Sequence, residues 1–356
     1  MGKEQSSSRI WSIDTLRVAA IFAVVAGHSE PFRSAQYNES VRLLGDIYSQ
    51  VARFCIPFFF AASAYFFAAR VHQGASVTSL LSRYLQRLLV VFLAWSAIYF
   101  TVSVLPDNRG VREHGFARAF GISMTKEVEK ITAGNPLMLA LEGTKEHLWF
   151  VPALMVSVAI TAGFYAAGWR RALLPVAATV YVVGLLAGAY APTPIGLARE
   201  FGIGLNTRNG PFFGLLFVAL GAHFADSVLP KVRWVWAMTI GGLLLMHLEA
   251  FTLRAVYGSD PWNIDYVAGT VPYGAGVFLL ALHYPRLGER TTWPRLGRYT
   301  LGVYVSHLLF LGPARQAVKW LPLPVPDLLL PFLLYGVSLG ATILLTKVRG
   351  LRRIAQ

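Results

Sequence analysis

Long apolar segments recur along nearly the whole chain, and they constrain its fold more than any other feature. Of the 356 residues, 55% are hydrophobic and only 14% are charged. Soluble domains carry about 25% charged residues, whereas about 20 consecutive apolar residues are enough to cross a bilayer as a helix. The sequence therefore indicates an integral membrane protein.

Ten apolar segments have roughly the length of a membrane span, which predicts an all-α membrane protein with about ten transmembrane helices around a polar internal cavity. They cover residues 11–30, 47–69, 84–105, 147–167, 172–190, 211–229, 233–253, 267–284, 298–314 and 327–346. Asp14 and Arg17 within the first segment argue against a cleaved signal peptide. We expect residues 1–356 to form a single transmembrane domain, with a long extracytoplasmic loop at 106–146.

The placement of the basic residues predicts the orientation in the membrane. With ten spans, the two tails and the loops after the second, fourth, sixth and eighth segments share one side, which holds 17 of the 32 Lys and Arg residues, Lys3 included, and four of the 18 acids, Glu4 included. An excess of Lys and Arg marks the cytoplasmic side. We therefore expect a multi-pass protein of the cytoplasmic (inner) membrane with both termini in the cytoplasm. The net charge of +14 then reflects topology rather than nucleic-acid binding.

The first apolar segment carries three polar side chains at helical spacing. Arg17 and His28 are eleven positions apart, which is three turns plus about 20°, so they share a helix face about 16 Å apart along the axis. Asp14 lies three residues before Arg17, where an ion pair can form. A charge near mid-bilayer costs about 2.5–3.5 kcal/mol on insertion scales, so such residues usually face the bundle interior. The stripe predicts an internal polar site. The alternative is a structural ion pair near the interface, with His28 ending the helix.

Three further arginines extend this pattern into the second and third segments. Arg53 lies in the second segment, four residues before Pro57, and we expect it to face the same cavity while Pro57 kinks the helix. Arg83 and Arg87 stand four residues apart at the start of the third segment. This spacing suits either the phosphates of a polyanion or lipid headgroups.

Two further histidines lie at or within apolar segments. His147 and Trp149 open the fourth segment, and His307 lies inside the ninth. The single cysteine, Cys55, can form neither an internal disulfide nor a thiolate metal site with a second thiol. We expect a buried structural thiol and no bound metal.

These motifs, taken in order, resemble the membrane acyltransferase-3 family, whose members move acyl groups, typically acetyl from acetyl-CoA, onto hydroxyl acceptors. The first segment matches in "RVAAIFAVVAGH", from Arg17 to His28, the fourth in "HLWFV" and the ninth in "YTLGVYVSH". The second segment matches the family's Pro, Phe-Phe and Ser-Gly-Tyr pattern at Pro57, Phe58, Phe59, Ser63 and Tyr65, with Ala64 in place of the glycine. The resemblance covers nearly the whole chain.

The resemblance implies an O-acyltransferase that uses acetyl-CoA as acyl donor. Arg83 and Arg87 would bind the CoA phosphates, although the middle cation of the family's basic run is absent, and the pantetheine arm would pass Arg17. His28 would act as general base on the acceptor hydroxyl, or carry the acyl group itself, and Arg17 and Asp14 would be the other two catalytic residues. Glu30, Glu142 or Glu146 could orient the imidazole. The residues expected to line the substrate site are Arg53, Ser63, Tyr65, His147, Trp149 and His307.

The expected acceptor is a sugar of a cell-surface polysaccharide or a lipid-linked glycan, in contact with membrane lipids and without nucleic acid. The oligomeric state stays open. A secondary transporter or flippase for a glycolipid or organic acid is the main alternative, because buried Arg, Asp and His residues also mark substrate and proton paths. A scaffold subunit of a polysaccharide-building machine is a third interpretation.

Overall fold

The structure, a computed structural model, describes residues 9–33, 37–133, 135–319 and 326–355. In these residues the secondary structure consists of helices joined by turns and loops. Lys3 and Glu4, counted above for the orientation, lie outside the described residues. The α-helices are α1 Trp11–Ser29, α2 Glu39–Ala52, α3 Cys55–His72, α4 Val77–Val104, α5 Asn108–His114, α6 Phe116–Ala133, α7 Pro136–Glu142, α8 Phe150–Ala166, α9 Arg170–Ala187, α10 Pro211–His223, α11 Val232–Tyr257, α12 Thr270–His283, α13 Trp293–Leu296, α14 Thr300–Lys319, α15 Leu330–Lys347 and α16 Arg352–Ala355. Residues 9–355 contain no strand where they are described.

The chain divides into two compact units. Unit 1 comprises Met1–Gly74 and Phe217–Gln356, and unit 2 comprises Ala75–Leu216. Unit 1 therefore holds α1–α3 and α11–α16, unit 2 holds α4–α9, and α10 begins in unit 2 and continues in unit 1. Each unit is described below by itself.

Six helical segments of the described chain are long and apolar enough to cross a membrane, against the ten spans that the sequence predicts. They are Glu39–His72, Val77–Val104, Glu146–Ala166, Arg170–Ala187, Val232–Tyr257 and Leu330–Lys347. The apolar helices α10 and α12 have 13 and 14 residues, about 20 Å of rise against a hydrocarbon core of about 30 Å. α1 and α14 are long enough, but Asp14 and Arg17 in the one and Arg315 and Lys319 in the other lower their apolar character.

Helix α1 packs against α3, α12, α14 and α15 within unit 1. Its side of the core includes Ile13 and Ala20, which are 0% exposed and pack with Phe58 of α3 and Phe278 of α12. Small residues let helix backbones approach closely in a membrane. A Cβ atom on Gly221 of α10 would meet the backbone carbonyl of Ala61 in α3. Direct backbone contact therefore fixes α3 against α10 in unit 1.

The second predicted span is interrupted at Arg53 and Phe54, which form a turn between α2 and α3. Because a new helix begins at Cys55, Pro57 occupies the first helical turn, where the missing N–H has no intrahelical partner to lose. The helical segment Glu39–His72 thus departs from a regular helix one turn before Pro57, where the sequence predicts a kink. Arg53 lies at the junction between two helices rather than inside one.

In unit 2, α4 packs against α6 and α8, and α8 packs against α7 and α9. The segment 106–146, which the sequence predicts as a long extracytoplasmic loop, contains α5, α6 and α7. Asp107 caps α5 by accepting a hydrogen bond from the Gly110 backbone N–H at 2.6 Å, and Asn135 caps α7 at Leu137. Capping side chains satisfy free N–H groups and favour helix starts at these positions.

Candidate active site

The structure brings His28 and His307 into contact within unit 1. Their ring centroids are 5.0 Å apart with an interplanar angle of 43°. His28 lies in the last turn of α1 and is exposed, whereas His307 of α14 is 0% exposed. The two histidines that the sequence singled out in the first and ninth segments therefore form a pair, one ring buried and one accessible.

The tautomer of His307 follows from its backbone contacts. Its Nδ1 lies 2.6 Å from the carbonyl oxygen of Tyr304 and 3.3 Å from that of Val303. A carbonyl oxygen only accepts hydrogen bonds, so Nδ1 carries the proton and donates. In the neutral ring, Nε2 then keeps its lone pair and can accept a proton or a hydrogen bond. A backbone carbonyl that fixes one ring nitrogen in this way defines the role of the other.

Asp14 and Arg17 form the ion pair that their spacing predicts, with Nη1 of Arg17 3.3 Å from Oδ1 of Asp14. Arg9 also binds Asp14, at 2.7 Å from Oδ2. The Arg17 guanidinium lies over the ring of Phe66 in α3, 5.4 Å from its centroid. Asp14 is thus held between two arginines, and Arg17 is oriented by one carboxylate and one aromatic ring.

Arg53, Ser63 and Tyr65 lie at different points of unit 1. Arg53 donates to the backbone carbonyls of Trp262 at 2.6 Å and Asp265 at 3.3 Å, so it holds the segment after α11 in place. Tyr65 is half-buried, with its ring 5.9 Å from that of Phe278. Ser63 is partly buried two residues earlier in α3.

Unit 1 also contains a four-residue charge network that the sequence did not predict. Asp46 of α2 accepts from Arg254 of α11 at 2.7 Å and lies 3.4 Å from Arg33, and Arg33 also binds Asp260 at 2.9 Å. Burial alone would raise the pKa of Asp260, but hydrogen bonds from Arg33 and from the Trp262 backbone N–H, with the charges of Arg33 and Arg254, lower it. Each of these four residues resembles an ordinary loop or helix-end charge in the sequence. We name this set the Asp46 network.

The predicted phosphate-binding arginines lie on α4 in unit 2. Arg83 and Arg87 are exposed and share one helix face, since they are four residues apart. Nε of Arg83 donates to the carbonyl oxygen of Ser79 at 3.2 Å.

His147 and Trp149 lie in a short 3₁₀ turn, Glu146–Trp149, that leads into α8. His147 is 3% exposed, with its ring 5.0 Å from that of Tyr99 in α4. Trp149 is half-buried, and the guanidinium of Arg208 lies 5.5 Å from its ring centroid. Arg208 also binds Glu142 at 3.4 Å. Glu142, a candidate for orienting His28, is therefore engaged by Arg208 in unit 2.

Cys55 is buried and free, as the sequence predicts. Among the residues described, no group of three or more His, Cys, Asp or Glu side chains could hold a metal ion.

The apolar helices and the polar groups inside unit 1 define a helical, multi-pass membrane protein with an internal histidine pair. The sequence profile described as an acyltransferase domain matches residues 10–347. The chain belongs to this family, the acyltransferase-3 family.

Curated relatives are similar at low identity. An amino-acid racemase of Enterococcus faecalis is 26% identical over 357 residues, covering 96% of this chain and 46% of that protein. A serine/alanine racemase of Enterococcus gallinarum is 26% identical over 310 residues, covering 83% of this chain and 40% of that protein. The chain thus spans less than half the length of these relatives.

Proposed function

We propose that the protein transfers an acetyl group from acetyl-CoA to a hydroxyl of a sugar in a cell-surface polysaccharide or lipid-linked glycan, with His28 as general base. The contact between the accessible His28 and the buried His307 carries this proposal. A neutral imidazole accepts a hydroxyl proton near pH 7, and a positioned base contributes about 10²–10⁴ in rate. The negative end of the α1 dipole stabilises the positive charge that His28 acquires in the last turn of this helix.

The transfer conserves atoms and protons. The acceptor oxygen attacks the thioester carbonyl while its proton moves to His28, and the tetrahedral intermediate collapses with loss of the CoA sulfur. That sulfur takes the proton from His28, so the products are the O-acetyl ester and free CoA thiol. His307 acts as a positioning residue, because its fixed Nδ1–H leaves Nε2 to receive a hydrogen bond.

The remaining site assignments are proposals of the same kind. The family resemblance supports a donor contact for Arg17, which Asp14 holds, and phosphate binding for Arg83 and Arg87. Arginine suits phosphate because its planar fork donates two parallel hydrogen bonds. Ser63, Tyr65, His147 and Trp149 serve substrate binding, whereas the carbonyl contacts of Arg53 favour a structural role.

We further propose that the protein lies in the inner membrane with ten membrane-crossing segments and both termini in the cytoplasm. The distribution of Lys and Arg in the sequence supports this orientation. Labelling of single cysteines introduced at exposed positions from either side of the membrane tests it.

The experiment that tests the mechanism is acetyl-CoA turnover by the purified protein. Free thiol release is followed with a glycan acceptor for wild type, His28→Ala and the exposed control His114→Ala. We expect His28→Ala to lose a factor of about 10²–10⁴, while His114→Ala keeps the wild-type rate. His28→Ala turnover at the wild-type rate would refute the mechanism. Residues that act as a unit are not additive, so His28→Ala/His307→Ala should be no slower than His28→Ala.

A second candidate comes from the names of the curated relatives, which describe enzymes acting on amino acids. On this view an amino acid such as L-serine is the acceptor or a transported substrate. Thioester consumption in detergent distinguishes acyl transfer from transport, because acyl transfer needs no membrane gradient and transport does. Gradient-dependent L-serine uptake into proteoliposomes without thioester consumption would favour transport.

A further inference from the structure

Unit 2 contains a polar cluster that none of the roles above uses as a whole. It is built by Glu142 at the end of α7, Trp149 of the 3₁₀ turn, and Arg208 and Asn209 just before α10. Nδ2 of Asn209 donates to Oε1 of Glu142 at 2.7 Å, and Nη2 of Arg208 lies 3.4 Å from the same oxygen. We name these four residues the Glu142 cluster.

The cluster contains a hydrogen-bond acceptor that the described protein does not satisfy. Asn209 is 0% exposed, and its Oδ1 has no hydrogen-bond partner among the described residues. Nδ2 faces a carboxylate, which only accepts, so the amide orientation is fixed and Oδ1 remains an acceptor. Leaving a buried acceptor unpaired is unfavourable, so such an atom requires a donor.

The charge of the cluster defines the kind of donor. The carboxylate of Glu142 is already balanced by Arg208, so a second cation would leave an uncompensated charge. A neutral group with two hydroxyls satisfies Asn209 and Glu142 without adding charge. The half-buried Trp149 ring lies 5.5 Å from the guanidinium of Arg208 and adds an aromatic surface to the cluster, and such a combination of an aromatic ring with a few polar groups is common in ligand sites.

We propose that Glu142 and Asn209 bind adjacent hydroxyls of a neutral polyol, with Trp149 against its apolar face. This hydroxyl-binding site lies wholly within unit 2 and does not depend on the proposed function. Arg208 is a positioning residue, since it balances Glu142 and lies over Trp149.

The test is hydrogen–deuterium exchange of the full chain in a detergent without a sugar headgroup, because a maltoside would itself occupy the site. The probe is methyl α-D-glucopyranoside, titrated without any acyl donor. We expect the probe to slow exchange in peptides covering residues 136–149 and 205–211. The half-saturating concentration should rise at least about tenfold in Asn209→Leu and in the isosteric Glu142→Gln, as expected for loss of a hydrogen bond to a charged or buried acceptor. Glu129→Gln, exposed on α6, is the matched control and should bind like wild type.

Three results would overturn the site: no protection in wild type, a half-saturating concentration in both variants equal to that of wild type, or equal protection by ethanolamine, which indicates a cation site. His28→Ala separates the two proposals. Probe-dependent protection in His28→Ala supports the polyol site whatever the acyltransferase assay gives. Wild-type turnover by His28→Ala refutes only the proposed mechanism, and absent protection beside an inactive His28→Ala refutes only the polyol site.

Discussion

Replacement of Asp46 by asparagine should destabilise unit 1, because this carboxylate joins three parts of the fold. The Asp46 side chain is 7% exposed and binds Arg254 at 2.7 Å and Arg33 at 3.4 Å. An asparagine amide at this position would keep one acceptor oxygen, but its NH₂ group would face a guanidinium, and the pairing charge would be lost. The Asp46 network would then contain two arginines and one carboxylate.

The expected loss is about 2 kcal/mol. A hydrogen bond to a charged group contributes about 1.5–3 kcal/mol, and we take the lower part of that range because the Arg254 and Arg33 side chains are 45% and 32% exposed and solvent screens them. For a unit of roughly 200 residues this corresponds to a fall in Tm of about 4–8 °C.

Thermal unfolding of Asp46→Asn in detergent measures this loss, with Glu39→Gln, an exposed carboxylate on the same helix, as control. The control should stay within about 0.5 kcal/mol of wild type. The cycle with Arg254→Gln should give a coupling energy of about 1 kcal/mol, because directly bonded residues are not additive. An unchanged Tm for Asp46→Asn, or zero coupling, would refute a stabilising role for the Asp46 network.

Three further predictions concern packing and charge. Because the pKa of Asp260 is lowered in the folded state, its stabilising contribution is complete above about pH 4, near the unfolded pKa, and is lost as pH falls through the folded pKa. Asp260→Asn should therefore flatten the fall of Tm below about pH 4. An unchanged dependence of Tm on pH in this range would contradict the prediction. Thr161→Val should be neutral or raise stability by up to about 1 kcal/mol, since this buried hydroxyl has no hydrogen-bond partner among the described residues. A Tm several degrees lower would contradict this and would show that the hydroxyl has a partner. Gly221→Ala should lower the free energy of unfolding by about 1–3 kcal/mol, because the added Cβ pushes α10 away from α3. Gly241→Ala, whose Cβ meets nothing within 4 Å, should not lower it. Equal melting temperatures of the two variants would refute the close approach of α10 and α3.

The sequence predicted features that depend on local spacing. A helix lies at each of the ten apolar segments, and the ion pair of Asp14 and Arg17 follows from a three-residue separation on one helix. The turn at Arg53 and Phe54 lies one turn before Pro57, where the sequence predicts a kink. The contacts of Arg53 with the carbonyls of Trp262 and Asp265 were not predicted, because they join residues far apart in the chain. Fewer than ten segments form long apolar helices, because the predicted segments 211–229 and 267–284 include flanking residues that lie beyond the ends of α10 and α12.

The contacts that the sequence did not predict join residues far apart in the chain. Asp46 and Arg254 are separated by 208 positions, and Glu142 and Asn209 by 67. Each one alone resembles a solvated charge or a turn residue, and only the tertiary fold shows that they meet. The helices in 106–146 are a different case. The capping residues Asp107 and Asn135 were visible in the sequence, although the prediction of an extracytoplasmic segment did not specify helices there.

The pairing of the carboxylates explains why an imidazole is the better candidate for proton transfer in this chain. Buried or partly buried charges need partners, and Asp14 and Glu142 have theirs in arginines. Protonating a carboxylate that balances an arginine would leave the charge of that arginine uncompensated, so such a carboxylate is poorly placed to accept a proton from an alcohol. His307 instead turns one nitrogen to its own helix backbone and contacts His28 with its ring. His28 is the accessible member of this pair, and an imidazole can gain and lose a proton near neutral pH.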